Sequence, residues 1–208
     1  MCIVSRADGR TTFFVGDVAG HDERAAGLAA ELSTRVVELG SWASPGTLLE
    51  SLNTFVEVRW PSDVFVCAVC FTVDHGTGMG TIAMAGHFSP FVRGASSCRM
   101  LDVHVGLALG ILAEQRYIET DFTLEAEETL VAVTDGVTDP LATGSDPLGL
   151  AALAHILDGD AVQPKEICAS LIEATRRVGG RDDASVLAIA PSRARLPAAL
   201  DDTLAFAA

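Results

Sequence analysis

The strongest constraint on the fold lies at residues 63–85. Residues 63–73 form a continuous apolar and β-branched run, Gly76-Thr77-Gly78 is a turn sequence, and Met79 to Ala85 reads as a second strand. Two strand-type runs joined by so short a turn predict an antiparallel hairpin. Short strands are also predicted at Phe91-Val92-Arg93, Met100 to His104, Glu128 to Thr134 and Asp183 to Ala190, with a weaker one at Thr11 to Val15. Helices come in pairs. From Glu23 to Leu39, apolar residues recur at the three-and-four spacing of an amphipathic helix, and Gly40 supplies a stop. A second helix starts at Pro45, carries Leu48, Leu49, Leu52, Phe55 and Val56 on one face, and ends at Pro61. Two more patterns occupy residues 147–157 and 165–178. Hairpins with paired helices predict antiparallel sheets covered by helices, not the strict alternation of a parallel doubly wound sheet.

Bulk properties narrow the partners. With 208 residues, 49% of them hydrophobic, the chain can build one domain with a sizeable core. Its 28 acidic and 14 basic residues give a formal charge of −14, which argues against nucleic acid or an anionic membrane as partner and fits a basic protein better. The same charge also serves solubility alone. The five cysteines, with no signal peptide recognisable, predict a cytoplasmic protein without a disulfide framework. Cys67 and Cys70 form a CxxC inside the apolar run, where positions three apart face opposite sides of a strand, so they read as buried thiols rather than a zinc or redox pair. No apolar stretch reaches the roughly 18 residues a membrane span needs, so no membrane insertion is expected.

Three acidic motifs begin or end apolar runs. Gly16-Asp17-Val18-Ala19-Gly20-His21 and Thr134-Asp135-Gly136 each follow a strand pattern, and Arg181-Asp182-Asp183 precedes one. Carboxylates at strand ends are held by a rigid sheet yet open onto loops, a common way to present oxygen ligands to hard divalent cations. Neighbouring glycines allow close backbone approach. Each motif taken alone also reads as a turn aspartate. Asp22 reads as an N-cap for the helix that follows. No nucleophile elbow, cysteine-containing phosphate loop, GxGxxG or Walker loop is evident, which speaks against a covalent enzyme or a nucleotide-binding domain.

The stretch GDVAGHDERAAGLAAELS resembles the GDVxGHGxxAA signature of the SpoIIE-like bacterial branch of the PPM (type-2C) metal-dependent protein serine/threonine phosphatases. Further motifs follow in the order that family shows: Met84 to Pro90 resembles AGHxP, Leu107 to Ile111 a PLGI-like loop, Val133 to Asp139 TDGxTE, and Arg181 to Ser185 DDxT/S. The resemblance implies an α+β fold, a four-layer α-β-β-α sandwich of two mainly antiparallel sheets flanked by helix pairs. It implies a phosphatase domain at residues 1–190 and a flexible C-terminal tail at 191–208.

The same resemblance implies two divalent cations, Mn2+ or Mg2+. Asp17 would bridge them, the Val18 carbonyl would join one, and Asp135 and Asp182 would ligate the other, with Asp183 as substitute for Asp182. His21 and His87 would stand behind the ligands as hydrogen-bonding partners, or serve as structural loop histidines. Paired cations of this kind activate water for in-line attack on a phosphoryl group, so no phosphoenzyme is required. The implied function is hydrolysis of phosphoserine or phosphothreonine on a regulatory protein, of the kind represented by an anti-sigma-factor antagonist in a partner-switching pathway. Members of the family carry an acidic GGDxYD-like strand ahead of the GDV motif. Here no Asp or Glu precedes Asp8, so the N-terminal strand is expected to be missing or shortened. That departure motivates the alternative, a catalytically weak or inactive domain acting as a protein-binding or sensing module.

Overall fold

A computed structural model describes residues 1–191 apart from Asp8, 21–22, 41–42, 75–76, Ser96 and 181–182; residues 192–208 also lie outside the description. The predicted hairpin is present as β3 (Val66–Asp74) and β4 (Met79–Ala85), paired antiparallel with Val69 opposite Met84. Asp74 organises its turn, accepting the Thr77 N–H and hydroxyl at Oδ1 and the Gly78 N–H at its carbonyl. β2 (Arg10–Val18) pairs along the whole of β3, and β1 (Cys2–Ala7) pairs with β2. The first sheet runs β1-β2-β3-β4 and is completed at β4 by β7 (Val105–Gly106), which pairs in parallel, and β8 (Thr120–Thr123). The second sheet is fully antiparallel, in the order β10 (Val186–Ile189), β9 (Thr129–Val133), β5 (Phe91–Arg93), β6 (Cys98–Met100).

Three apolar layers hold the sheets and helices together, and strand alternation assigns residues to them. On the outer face of the first sheet, Phe14, Ala68, Cys70, Ala83 and Ala85 meet α1 (Glu23–Gly40) and α2 (Pro45–Arg59). Leu32, Leu48, Leu49 and Leu52 of these helices are completely buried there, and truncating one such leucine to alanine costs about 2–5 kcal/mol. The intervening positions Val15, Val69, Phe71, Ile82 and Met84 point the other way and pack against Val92, Leu130 and Ala132 of the second sheet. Phe13 and Phe71, directly opposite in the β2–β3 register, stack with centroids 5.1 Å apart. Beyond the second sheet, Phe91, Val131 and Val133 pack on α4 (Leu150–Leu157) and α5 (Pro164–Arg177). This is the four-layer α-β-β-α sandwich, and its twofold-buried sheets explain why the central strands read as unbroken apolar runs.

Several boundaries differ from expectation. The strand predicted at Thr11 to Val15 extends through Gly16-Asp17-Val18, because Val66 and Cys67 continue to pair with it, so the GDV motif ends a strand rather than following one. The strand expected at Met100 to His104 lies earlier, at Cys98–Met100. Helix α4 begins at Leu150 instead of residue 147, because Gly149, at φ 64°, precedes it and Asp146 accepts the N–H groups of Leu150, Ala151 and Ala152. The six-residue β1 precedes the GDV motif, and its residues CIVSRA include no carboxylate. Among the described residues, no helix is long and apolar enough to cross a membrane.

Candidate metal-binding site

Five chain segments end at the same edge of the sandwich. From the first sheet come the C-terminal end of β2 with Asp17 and Val18, the start of β3 with Cys67, and the turn after β4 with Gly86 and His87. From the second come the end of β9, which passes at Asp135 into the short helix α3 (Asp135–Thr138), and the approach to β10 at Asp183. Rigid strands on both sheets thus aim their ends at one gap.

Asp17 and Cys67 are direct register partners. The Cys67 thiol is half-buried and its pKa is raised, first by burial and then by the Asp135 and Asp17 carboxylates. Asp17 thus lies directly beside Cys67, and the charge of Asp135, from the second sheet, acts on the same thiol. The reading of Cys67 and Cys70 as two buried thiols therefore needs correction: Cys70 is fully buried under the α1–α2 layer, whereas Cys67 faces the carboxylates between the sheets. Sequence inspection missed Cys67 as a neighbour of the site, and only the β2–β3 register identifies it.

Asp135 accepts the N–H of Gly136 at 2.9 Å, and the ion pairs among the described residues do not include it. Gly136 is required by close approach: a Cβ there would overlap the Asp183 carbonyl oxygen. The two segments are further joined by Thr134 N–H to the Ser185 carbonyl and Ser185 N–H to Thr134 Oγ1, both 3.0 Å. The Asp135 turn and the Asp183 loop are consequently one structural unit. Asp183 itself is exposed. Asp182 and His21 lie outside the described residues, as does Asp22.

His87 is 5% exposed, and its Nδ1–H donates to the Phe88 carbonyl at 2.7 Å. Burial lowers its pKa, against the opposing pull of the Phe88 carbonyl and the Asp135 carboxylate, so the ring is neutral near pH 7. Among the described residues Nε2 has no partner at hydrogen-bonding geometry, although the Val133 carbonyl lies near enough to favour a proton on the ring. Among the carboxylates, Asp135 is the one whose charge acts on the His87 ring.

The donors fit a hard cation. The oxygens of two carboxylates and a strand-end carbonyl are the donor type such a cation takes, and the protonated Cys67 thiol adds no soft donor. Among the described residues, no group of three or more His, Cys, Asp or Glu side chains is arranged to hold a metal by itself; the third carboxylate of the expected set, Asp182, is outside the description.

Comparison with known proteins agrees with this arrangement at the level of family and fold. Among solved structures, the chain is similar to the RsbU and RsbW domains of a Mycobacterium tuberculosis protein at 23% identity, with a TM-score of 0.78 over 92% of this chain. It is similar to the PP2C phosphatase domain and regulatory fragment of SpoIIE from Bacillus subtilis at 16% identity, with a TM-score of 0.73 over 90% of this chain. It spans 55% and 56% of those two chains. RsbX in complex with magnesium matches at 16% identity and a TM-score of 0.68, over 90% of this chain and 85% of that one. No curated protein sequence matches. The family described as Stage II sporulation protein E (SpoIIE) matches residues 7–191, and the chain belongs to that family, with the α+β sandwich of PP2C phosphatase domains.

Proposed function

We propose that this domain is a metal-dependent protein phosphatase that hydrolyses phosphoserine or phosphothreonine on a regulatory protein. The observation that carries the reading is the SpoIIE-family match over residues 7–191, with Asp17 at the end of β2 and Asp135 directly after β9. Asp17, the Val18 carbonyl, Asp135 and Asp182 would hold two divalent cations, Mn2+ or Mg2+; RsbX, a structural relative, was crystallised with magnesium. Cations so placed would supply charge for the phosphoryl oxygens and an acidified water as nucleophile. The protein's own part is positioning. Strands β2 and β9 fix the two carboxylates, the Gly136–Asp183 contact ties the third acidic segment to Asp135, and neutral His87, on whose ring the Asp135 charge acts, does not compete for a cation. A regulatory phosphoprotein, such as an anti-sigma-factor antagonist in a partner-switching pathway, is the substrate class the family suggests.

Purified protein with added manganese should release phosphate from p-nitrophenyl phosphate and from a phosphoserine peptide, and Asp17→Asn should abolish both. Equal rates in that variant, or in chelator, would refute the assignment. The second reading, a protein-binding or sensing module without turnover, is favoured by the lack of any carboxylate on β1. Tight partner binding by calorimetry, with no manganese-dependent hydrolysis, would decide for it.

A further inference from the structure

The loop after β7 exposes apolar side chains beside the candidate site. Residues 105–113 read Val-Gly-Leu-Ala-Leu-Gly-Ile-Leu-Ala, with no polar side chain, in a chain of net charge −14. Leu109 is fully buried, but Leu107 is 48% and Ile111 54% exposed. This loop is not loosely held. Leu109 exchanges both backbone hydrogen bonds with Val66, at 2.9 and 3.1 Å. Asn53 of α2, only 1% exposed, accepts the Gly110 N–H at 2.8 Å and donates to the Leu112 carbonyl at 3.0 Å, and the Tyr117 hydroxyl donates to the same Asn53 oxygen. A buried amide thus fixes the shape of a loop whose outer side chains, Leu107 and Ile111, stand about half exposed. A surface presented so rigidly loses little freedom when something binds to it.

The location of the loop indicates what binds. The antiparallel Val66–Leu109 pair sets Cys67 across from Ala108, and Phe65, 39% exposed, across from Gly110. Cys67 is in turn the register partner of Asp17 on β2. From the other side, Gly86 packs on the same segment so closely that a Cβ there would stand 2.8 Å from the Ala108 Cβ, and His87 follows directly. The loop therefore borders the candidate site, where the residues neighbouring a phosphorylated side chain presented to Asp17 and Asp135 would lie.

We propose that Phe65, Leu107 and Ile111 form a docking rim that takes apolar side chains flanking the phosphorylated residue of the substrate protein. This rests on the phosphatase reading above and extends it from catalysis to substrate choice. The rim presents no charge and no side-chain hydrogen-bonding group, so a charged flanking residue would lose hydration there without compensation, whereas an apolar one gains burial.

The test uses two phosphoserine peptides with manganese, one flanked on both sides by leucine and the other by glutamate, together with p-nitrophenyl phosphate. The wild-type chain should prefer the leucine-flanked peptide by about tenfold or more in kcat/KM, the discrimination that apolar pockets commonly reach. In Leu107→Asp/Ile111→Asp and in the milder Ile111→Ser, the preference should collapse or shrink, while p-nitrophenyl phosphate turnover and the melting temperature stay at wild-type values. Equal kcat/KM for the two peptides, or a preference that survives both variants, overturns the proposal. So does a change of oligomeric state in the variants by sedimentation, which would identify the rim as a contact between copies of this chain. If p-nitrophenyl phosphate is not hydrolysed at all, the phosphatase reading fails separately. Peptide binding by fluorescence anisotropy then decides the rim alone: tighter binding of the leucine-flanked peptide, lost in the double variant, supports it, and equal binding refutes it.

Discussion

At the Asp74 end of the sandwich, acidic and basic groups are consumed by the fold. Asp74 accepts two hydrogen bonds from Thr77 and lies 3.8 Å from Arg10, Asp158 accepts the Cys98 N–H at 2.6 Å, and the buried Arg93 guanidinium donates to the carbonyls of Gly94, Leu157 and Gly159. Roughly 24 Å away along β3, where that strand begins at the candidate site, Asp135 accepts one N–H from its own neighbour and has no arginine or lysine pair among the described residues. An aspartate at the first end adds stability through its partners; on the proposed reading, Asp135 at the second end serves a cation instead and adds repulsion until one arrives. Replacing them should therefore have opposite consequences for stability and activity.

The largest effect is expected for Asp135→Asn. Phosphate release with manganese should fall by more than about 100-fold, beyond what losing a residue behind the ligands costs, while the melting temperature without metal stays constant or rises. A marked loss of metal-free stability would break the contrast between the two ends. Next comes Gly136→Ala, which forces a Cβ onto the Asp183 carbonyl. Such overpacking costs about 1–3 kcal/mol, seen as a lowered melting temperature accompanied by reduced activity. Asp74→Ala should cost about 1 kcal/mol, the worth of its turn hydrogen bonds, with kcat/KM on p-nitrophenyl phosphate unchanged.

The smallest effect is one of pH. His87 has its folded pKa lowered by burial, so the unfolded chain, titrating near about 6.5, binds the proton more readily than the folded one. Its contribution is complete above the unfolded value and is lost as pH falls below it. Chemical denaturation of His87→Gln should accordingly show a shallower loss of stability below about pH 6.5 than the wild type; identical slopes would show that the ring does not titrate in this way.

How much of this was legible in the sequence follows from how each element is stabilised. β3, β4 and β9 are apolar on both faces because each is sandwiched between two layers, and such runs announce themselves. β1, with Ser5 and Arg6, and the short β7 and β8 carry no comparable pattern, since pairing with a neighbour rather than burial makes them strands. In β8 only Phe122 is buried, while Asp121 reaches across to the Thr81 hydroxyl at 3.0 Å. Of the site, Asp17 and Asp135 were readable from their glycine-flanked positions at strand ends. Cys67 was not, because its place opposite Asp17 depends on a register set by fifty intervening residues, and neither was Asn53, whose partners in the 107–112 loop lie just as far along the chain.

Manganese binding tests the central claim most directly. Isothermal titration of the metal-free protein should give two ions per chain, with Asp17→Asn losing both and Asp135→Asn losing one, each variant retaining its fold by circular dichroism. Full wild-type stoichiometry and affinity in Asp17→Asn would contradict the account, because the strand ends of the two sheets would then not be what holds the cations.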